Sequence, residues 1–178
     1  GEIHNLSAPS EITETRIDNK TFQTSKILIH ARPEIVWKIL TDYNNADAIF
    51  SSVKDCGIVE EKGFKKIVRH EVQPSGLPGR FKYVLEITET PQQMLEWHRI
   101  RGDFREVDGH WKLEPANGGK QTLATYSAYI NGGLFFFFLL VKRQIRVDMP
   151  LVLATLKKEA EGRVQTQIAG RPEKRISD

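Results

Sequence analysis

Hydrophobic and polar positions alternate most cleanly in Phe81–Thr88 (FKYVLEIT), which puts Phe81, Tyr83, Leu85 and Ile87 on one face. That period of two marks a half-buried strand. Other strands are predicted at Lys20–Ile29, which is rich in β-branched residues, and at Val53–Glu61 and Lys65–Val72, separated by the turn Lys62-Gly63. Further strands are expected at Met94–Gly102, His110–Pro115 and Gln121–Ile130, with Asn117-Gly118-Gly119 as a tight turn between the last two. Between the first two strands the period changes. Ile35, Val36, Ile39 and Leu40 fall at helical spacing behind Pro33, which suits a first helical turn, so a helix is predicted from Pro33 to about Thr41 and a shorter one over Asn45–Phe50. After Asn131 a long helix is predicted from near Phe136, kinked at Pro150, with Leu151, Val152, Leu156 and Ala160 on its apolar side and Gly162 as a plausible stop. Short connections favour sequential antiparallel pairing, and the long amphipathic helix must bury its apolar face. The expected class is α+β: a curved antiparallel sheet of about six to seven strands wrapped around a C-terminal helix, two short helices after the first strand, and a cavity between sheet and helix.

A chain of 178 residues, 39% hydrophobic and 28% charged, suits one domain with its own core. Residues 1–12 read as a flexible polar arm, 13–168 as the domain and 169–178 as a disordered tail. The net charge of +3 is too small to argue for nucleic acid, and no nucleic-acid partner is expected. One cysteine, Cys56, excludes an internal disulfide and a cysteine-rich metal site. The longest apolar run, Leu134–Val141, is far short of the ~18–20 residues that span a bilayer. The chain begins at Gly1 rather than methionine, which leaves room for a removed targeting segment and leaves localisation open.

Two segments resemble a known family. Ile27–Phe50 looks like the first strand and helix pair of the SRPBCC superfamily, the helix-grip fold of StAR-related lipid-transfer domains. Gly102, Phe104, Gly109, Trp111, Leu113 and Pro115 match a G-x-F-x4-G-x-W-x-L/F-x-P pattern of that superfamily. The nearest likeness is to the polyketide cyclase/dehydrase and coenzyme-Q-binding group. The resemblance spans about Lys20–Val164 and implies a helix-grip fold with a hydrophobic pocket. It implies no single reaction, because members range from cyclases to carriers. The phenylalanine-rich segment before the last helix departs from the pattern.

The site must therefore be read from residues. The five histidines show no metal-ligand spacing, and neither a metal nor a cofactor is expected. An acid–base function would fall to His70 or His98, with Arg80, Arg99 and Tyr126 as further candidates. Alternation places His70 with Val68 and Val72 on the apolar side of its strand. Ligand contacts are expected from Phe81, Tyr83, Leu85, Trp97, Trp111 and Tyr126 on the sheet, and from Leu151, Ala154, Thr155 and Lys158 on the helix. Four consecutive phenylalanines, Phe135–Phe138, cannot all face one core. They are read as packing against another part of the chain or a second subunit, as a lid, or as a membrane contact in which Lys142, Arg143 and Arg146 meet anionic head groups. The favoured function is binding or transport of a hydrophobic small molecule (a lipid, isoprenoid or quinone), with peripheral membrane contact and homodimer formation open. The alternatives are a cyclase/dehydrase-type enzyme on a polyketide-like or aromatic substrate, and a protein-interaction module.

Overall fold

The computed structural model describes residues 6–76, 78–133 and 137–170, the side chains of 137 and 138 apart. Eight strands form one antiparallel sheet: β1 (Thr13–Ile17), β2 (Lys20–Ile29), β3 (Val53–Lys62), β4 (Lys65–Val72), β5 (Phe81–Thr90), β6 (Met94–Gly102), β7 (Glu106–Ala116) and β8 (Gln121–Asn131). Between β2 and β3 come α1 (Pro33–Leu40), a 3-10 turn (Tyr43–Asn45) and α2 (Ala46–Ile49), and the chain closes with α3 (Phe137–Ala169). The sheet order is β1-β2-β8-β7-β6-β5-β4-β3. Every strand from β3 to β8 pairs with its sequence neighbour, while β2 closes against β8. The architecture is the expected helix grip, with one strand more than the sequence pattern predicts.

The extra strand is β1. Its five residues are all exposed, so it carries no hydrophobic alternation to read. Its signal is the Asp18-Asn19 turn, where both residues take positive φ (47° and 63°), the geometry of a two-residue hairpin. The residues before it continue along β2: the Ser10 N–H donates to the Lys26 carbonyl at 2.8 Å and the Leu28 N–H to the Leu6 carbonyl at 2.9 Å. At the other end α3 runs through Ala169, and residues 171–178 lie outside the described residues.

The core joins the concave face of the sheet to α1 and α3. Met149, Leu153, Leu156 and Ala160 of α3 are buried at spacings of four, three and four, a single helical stripe, and they pack with Ile27, Ile29, Val36 and Ile39. Pro150 lies inside α3. It cannot donate to the carbonyl one turn earlier and so weakens the ladder there.

One charged group in the core is paired on two sides. Glu89, at the end of β5, accepts from Lys66 Nζ at 2.6 Å and from the Tyr43 hydroxyl at 2.8 Å. Lys66 and Glu89 are each 9% exposed. The contact ties the 3-10 turn to the floor of the sheet, and burial together with the adjacent Glu89 carboxylate drives the Tyr43 pKa well above its ordinary value. Glu89→Ala leaves Lys66 charged and buried, with only the Gly63 carbonyl at 2.9 Å and the exposed Glu61 carboxylate at 3.5 Å, and removes the acceptor of the Tyr43 hydroxyl. The expected loss is about 3–5 kcal/mol, measured as a fall in urea-unfolding free energy, and Lys66→Met combined with Glu89→Leu should restore most of it. A loss below about 1 kcal/mol would mean that the pair behaves as a solvated surface bridge.

Candidate functional site

Between the sheet and α3 lies a cavity in two adjoining parts. The inner chamber, about 220 Å³, is bounded by β3 to β8 and by Leu40, Tyr43, Ala46 and Phe50 from the helices after β2. The outer chamber, about 460 Å³, lies under the first half of α3, with Leu140, Val141, Gln144, Ile145, Asp148 and Met149 on the helix side. Ser52, Val72, Tyr126, Ala128, Ile130 and Val152 line both chambers and mark the neck where the two adjoin.

The motif from Gly102 to Pro115 builds much of this wall, and its glycines have steric reasons. A Cβ on Gly109 would stand 2.3 Å from the Trp97 indole, so only glycine lets Trp97 lie flat on β7. Gly102 has φ +104°, and a Cβ there would approach the Tyr83 Cα to 2.5 Å. Phe104 follows at φ +68°, a strained position for a bulky residue. The ring thereby meets Phe81 at 4.8 Å and Tyr83 at 6.0 Å between centroids, and both Phe104 and Phe81 line the outer chamber. Trp111 stacks on Tyr126 at 4.4 Å with 17° between planes, and Trp97 meets the same tyrosine at 6.0 Å. The β6–β8 side of the inner chamber is thus an aromatic wall.

The β3–β5 side carries a polar rung. Cys56, His70 and Tyr83 are cross-strand partners in register and all line the inner chamber. His70 Nδ1 and the Tyr83 hydroxyl are 3.2 Å apart. Burial pushes the His70 pKa down to about 4, the Cys56 thiol up to about 12 and the Tyr83 phenol well above its ordinary value. Tyr126 is likewise raised to about 12, by burial first and by the Asp148 charge second. Asp108 borders the inner chamber, but its carboxylate is bound by Lys20 Nζ at 2.7 Å. No lysine or arginine lines either chamber among the described residues.

Of the predicted ligand contacts, Tyr83, Leu85, Trp97, Trp111 and Tyr126 line the inner chamber and Phe81 the outer one. The helix residues fall elsewhere. Leu151, Ala154 and Lys158 are exposed, and Ala154 and Lys158 border a groove between α3 and Ser7–Pro9 on the far side. Thr155 is half-buried and lines neither chamber. The correction is one of helix phase: taking Leu151 with Val152 as the inward pair rotates the stripe by about 100° away from Met149–Leu153–Leu156. The helix residues that line the cavity lie earlier, at Leu140–Val152, where Ile145 and Met149 repeat at the spacing a longer reading window would have found.

His98 also departs from its candidate role. It is exposed on the other face of β6, with Nε2 3.9 Å from Glu86, and lines a surface depression with His110. Arg99 donates to the Arg105 carbonyl at 3.1 Å, and Arg80 lies near Glu71 at 3.6 Å; neither lines the cavity. Phe135 and Phe136, named as lid or membrane contacts, lie outside the described residues, as do the side chains of Phe137 and Phe138. Lys142 contacts Glu14 of β1 at 2.5 Å and Arg146 contacts the same carboxylate at 3.7 Å, while Arg143 is exposed.

The comparisons with known proteins agree with this geometry. No curated protein sequence matches the chain significantly. Among solved structures, an aromatase/cyclase (Zhui) from a Streptomyces species superposes with a TM-score of 0.74 at 16% identity, covering 85% of this chain and 98% of its own. A STAR-related lipid transfer protein from Xanthomonas axonopodis gives 0.67 at 12% identity, covering 84% and 92%. A START superfamily protein from Mycobacterium smegmatis gives 0.66 at 17%, covering 82% and 98%. At these identities the likeness establishes the fold. The sequence profile described as polyketide cyclase/dehydrase and lipid transport matches residues 29–170, and the chain belongs to that family.

Proposed function

We propose that the protein binds and carries a neutral hydrophobic small molecule in the two-chamber cavity. The observation that carries this reading is the lining itself. Both chambers are walled mainly by aliphatic and aromatic side chains, with no lysine or arginine among the described lining residues. A carboxylate or phosphate inside would meet no counter-charge and would keep its full desolvation cost. A neutral apolar ligand gains about 25 cal/mol per Å² of apolar surface removed from water. The lipid transport in the family's description, and the relative named as a lipid transfer protein, support the same reading.

A cyclase-type reaction is less well served. General acid–base catalysis works best with groups whose pKa lies near the working pH. In the inner chamber burial moves His70 and Tyr83 in opposite directions, away from neutrality.

Loading from a bilayer fits the surface beside the outer chamber. Leu139, Leu140, Val147 and Leu151 are exposed along α3, with exposed Arg143 among them. The phenylalanines of 135–138 immediately precede or begin this helix. The domain extent suggested by the sequence, 13–168, is retained as the ligand-binding unit.

Three outcomes are expected. Ala128→Leu narrows the neck between the chambers. It should weaken binding of a neutral fluorescent dye such as Nile red by about tenfold or more while holding or raising Tm, since it fills space; unchanged dye affinity would place the ligand elsewhere. Replacing Phe136 and Phe137 by serine should reduce co-sedimentation with vesicles containing anionic phospholipid several-fold at unchanged Tm, and equal sedimentation would remove the membrane role. His70 should remain neutral down to about pH 4, against 6.5 for a free imidazole. Between those values the unfolded chain binds the proton and the folded one does not. The contribution of His70 to stability is therefore complete above about pH 6.5 and declines as the pH falls toward 4. An NMR titration of the imidazole with a midpoint near 6.5 would contradict this.

A further inference from the structure

We propose that the His70–Tyr83 pair is the recognition point of the inner chamber and selects a planar neutral ring that carries a hydrogen-bond-accepting carbonyl oxygen. The proposal rests on the carrier reading and specifies its ligand.

The Tyr83 hydroxyl is buried, and among the described residues its one hydrogen-bond partner is His70 Nδ1, at 3.2 Å. One tautomer leaves fewer groups unpaired. If Nδ1 carried the proton and donated to Tyr83, the phenolic proton would be left buried without an acceptor, a loss of about 1–3 kcal/mol. If the hydroxyl donates to Nδ1, the proton of the neutral imidazole sits on Nε2. Nε2 has no protein partner among the described residues and is not a fully buried unpaired atom, so it keeps accessible surface, and His70 lines the inner chamber. On this reading His70 presents an N–H donor to a chamber whose other N–H donors are the Trp97 and Trp111 indoles.

The rest of the chamber sets the shape. The side that faces the ligand from β6–β8 is Trp97, Trp111 and Tyr126, with Trp111 and Tyr126 already stacked. Flat aromatic faces favour a flat partner at ring–ring contact distance. An apolar cavity of about 150 Å³ takes one benzene ring, so about 220 Å³ admits a ring system somewhat larger. A substituent or tail would pass the neck at Ala128 and Val152 into the outer chamber. A carboxylate acceptor is disfavoured because no lysine or arginine lines the chambers among the described residues, so the oxygen that meets Nε2–H belongs to a ketone, quinone or similar neutral carbonyl.

The test uses two probes of equal shape that differ only in this oxygen: 2-acetylnaphthalene and 2-isopropenylnaphthalene. Binding is measured by calorimetry on the full chain. The wild type should bind the ketone about five- to tenfold more tightly than the alkene. His70→Leu should bring the ratio close to one, with alkene affinity held within about threefold, and His70→Gln, which keeps an N–H donor, should retain part of the preference. On the wild type, the ketone and not the alkene should shift the His70 Nε2 resonance, a readout that stands even if a variant fails to fold. Equal binding of both probes, or a preference that survives His70→Leu, would overturn the recognition point and leave the carrier reading intact. Failure of the wild type to bind either probe would count against the carrier reading itself.

Discussion

The burial of one stripe of α3 against a sheet that curls around it is the constraint on which the rest depends. Met149, Leu153, Leu156 and Ala160 are at most 1% exposed and meet β2 and α1 through Ile27, Ile29, Val36 and Ile39. Each large apolar side chain in that contact contributes roughly 1.5–3 kcal/mol. The contact fixes the second half of the helix. The first half then extends over the open end of the sheet, where Ile145, Asp148 and Val152 roof a space that their side chains do not fill. The cavity is a consequence of anchoring a long helix at one end.

The walls of that space are held by backbone features more than by bulk. Gly109 lets Trp97 lie against β7, Gly102 brings the chain within contact of Tyr83, and the strained Phe104 turns its ring onto Phe81. Aromatic side chains are stiff and large, so once they are seated the wall keeps its shape without a ligand. The opposite floor depends on Glu89, whose two partners pin the 3-10 turn beneath the inner chamber. Specificity and stability meet at the same residues, which is why the motif is dense in glycine and aromatics.

Around the cavity, cationic side chains are kept at the rim among the described residues. Lys142 and Arg146 meet Glu14, Lys20 meets Asp108 and Glu106, and Arg80 approaches Glu71. Inside, His70, Tyr83 and Tyr126 are neutral at physiological pH because burial disfavours each charged form. A lining of this kind discriminates by shape and by a few hydrogen bonds, and it gives little purchase to proton transfer.

Most of the fold was legible in the sequence, since a period of two or of 3.6 survives whatever the tertiary context. The strands β2 to β8, α1 and the long helix are written in that way. Alternation along β5 also placed Phe81, Tyr83 and Leu85 on the cavity side, and the set Val68, His70 and Val72 did the same for β4. The fully exposed β1 was hidden because a strand without a buried face has no pattern beyond its Asp18-Asn19 turn. The helix wall was misplaced, since Leu151 and Val152 are adjacent and equally apolar, and only packing decides that Val152 faces the cavity while Leu151 faces outward. His98 shows the same limit across a sheet: its strand could be read, but its face was fixed by the burial of Leu95 and Trp97 on the other side. Sequence determined which elements exist and roughly where the apolar residues lie. Tertiary structure decided which of two neighbouring side chains faces the cavity, because a rotation of one residue costs nothing locally and is resolved only by what lies across the contact.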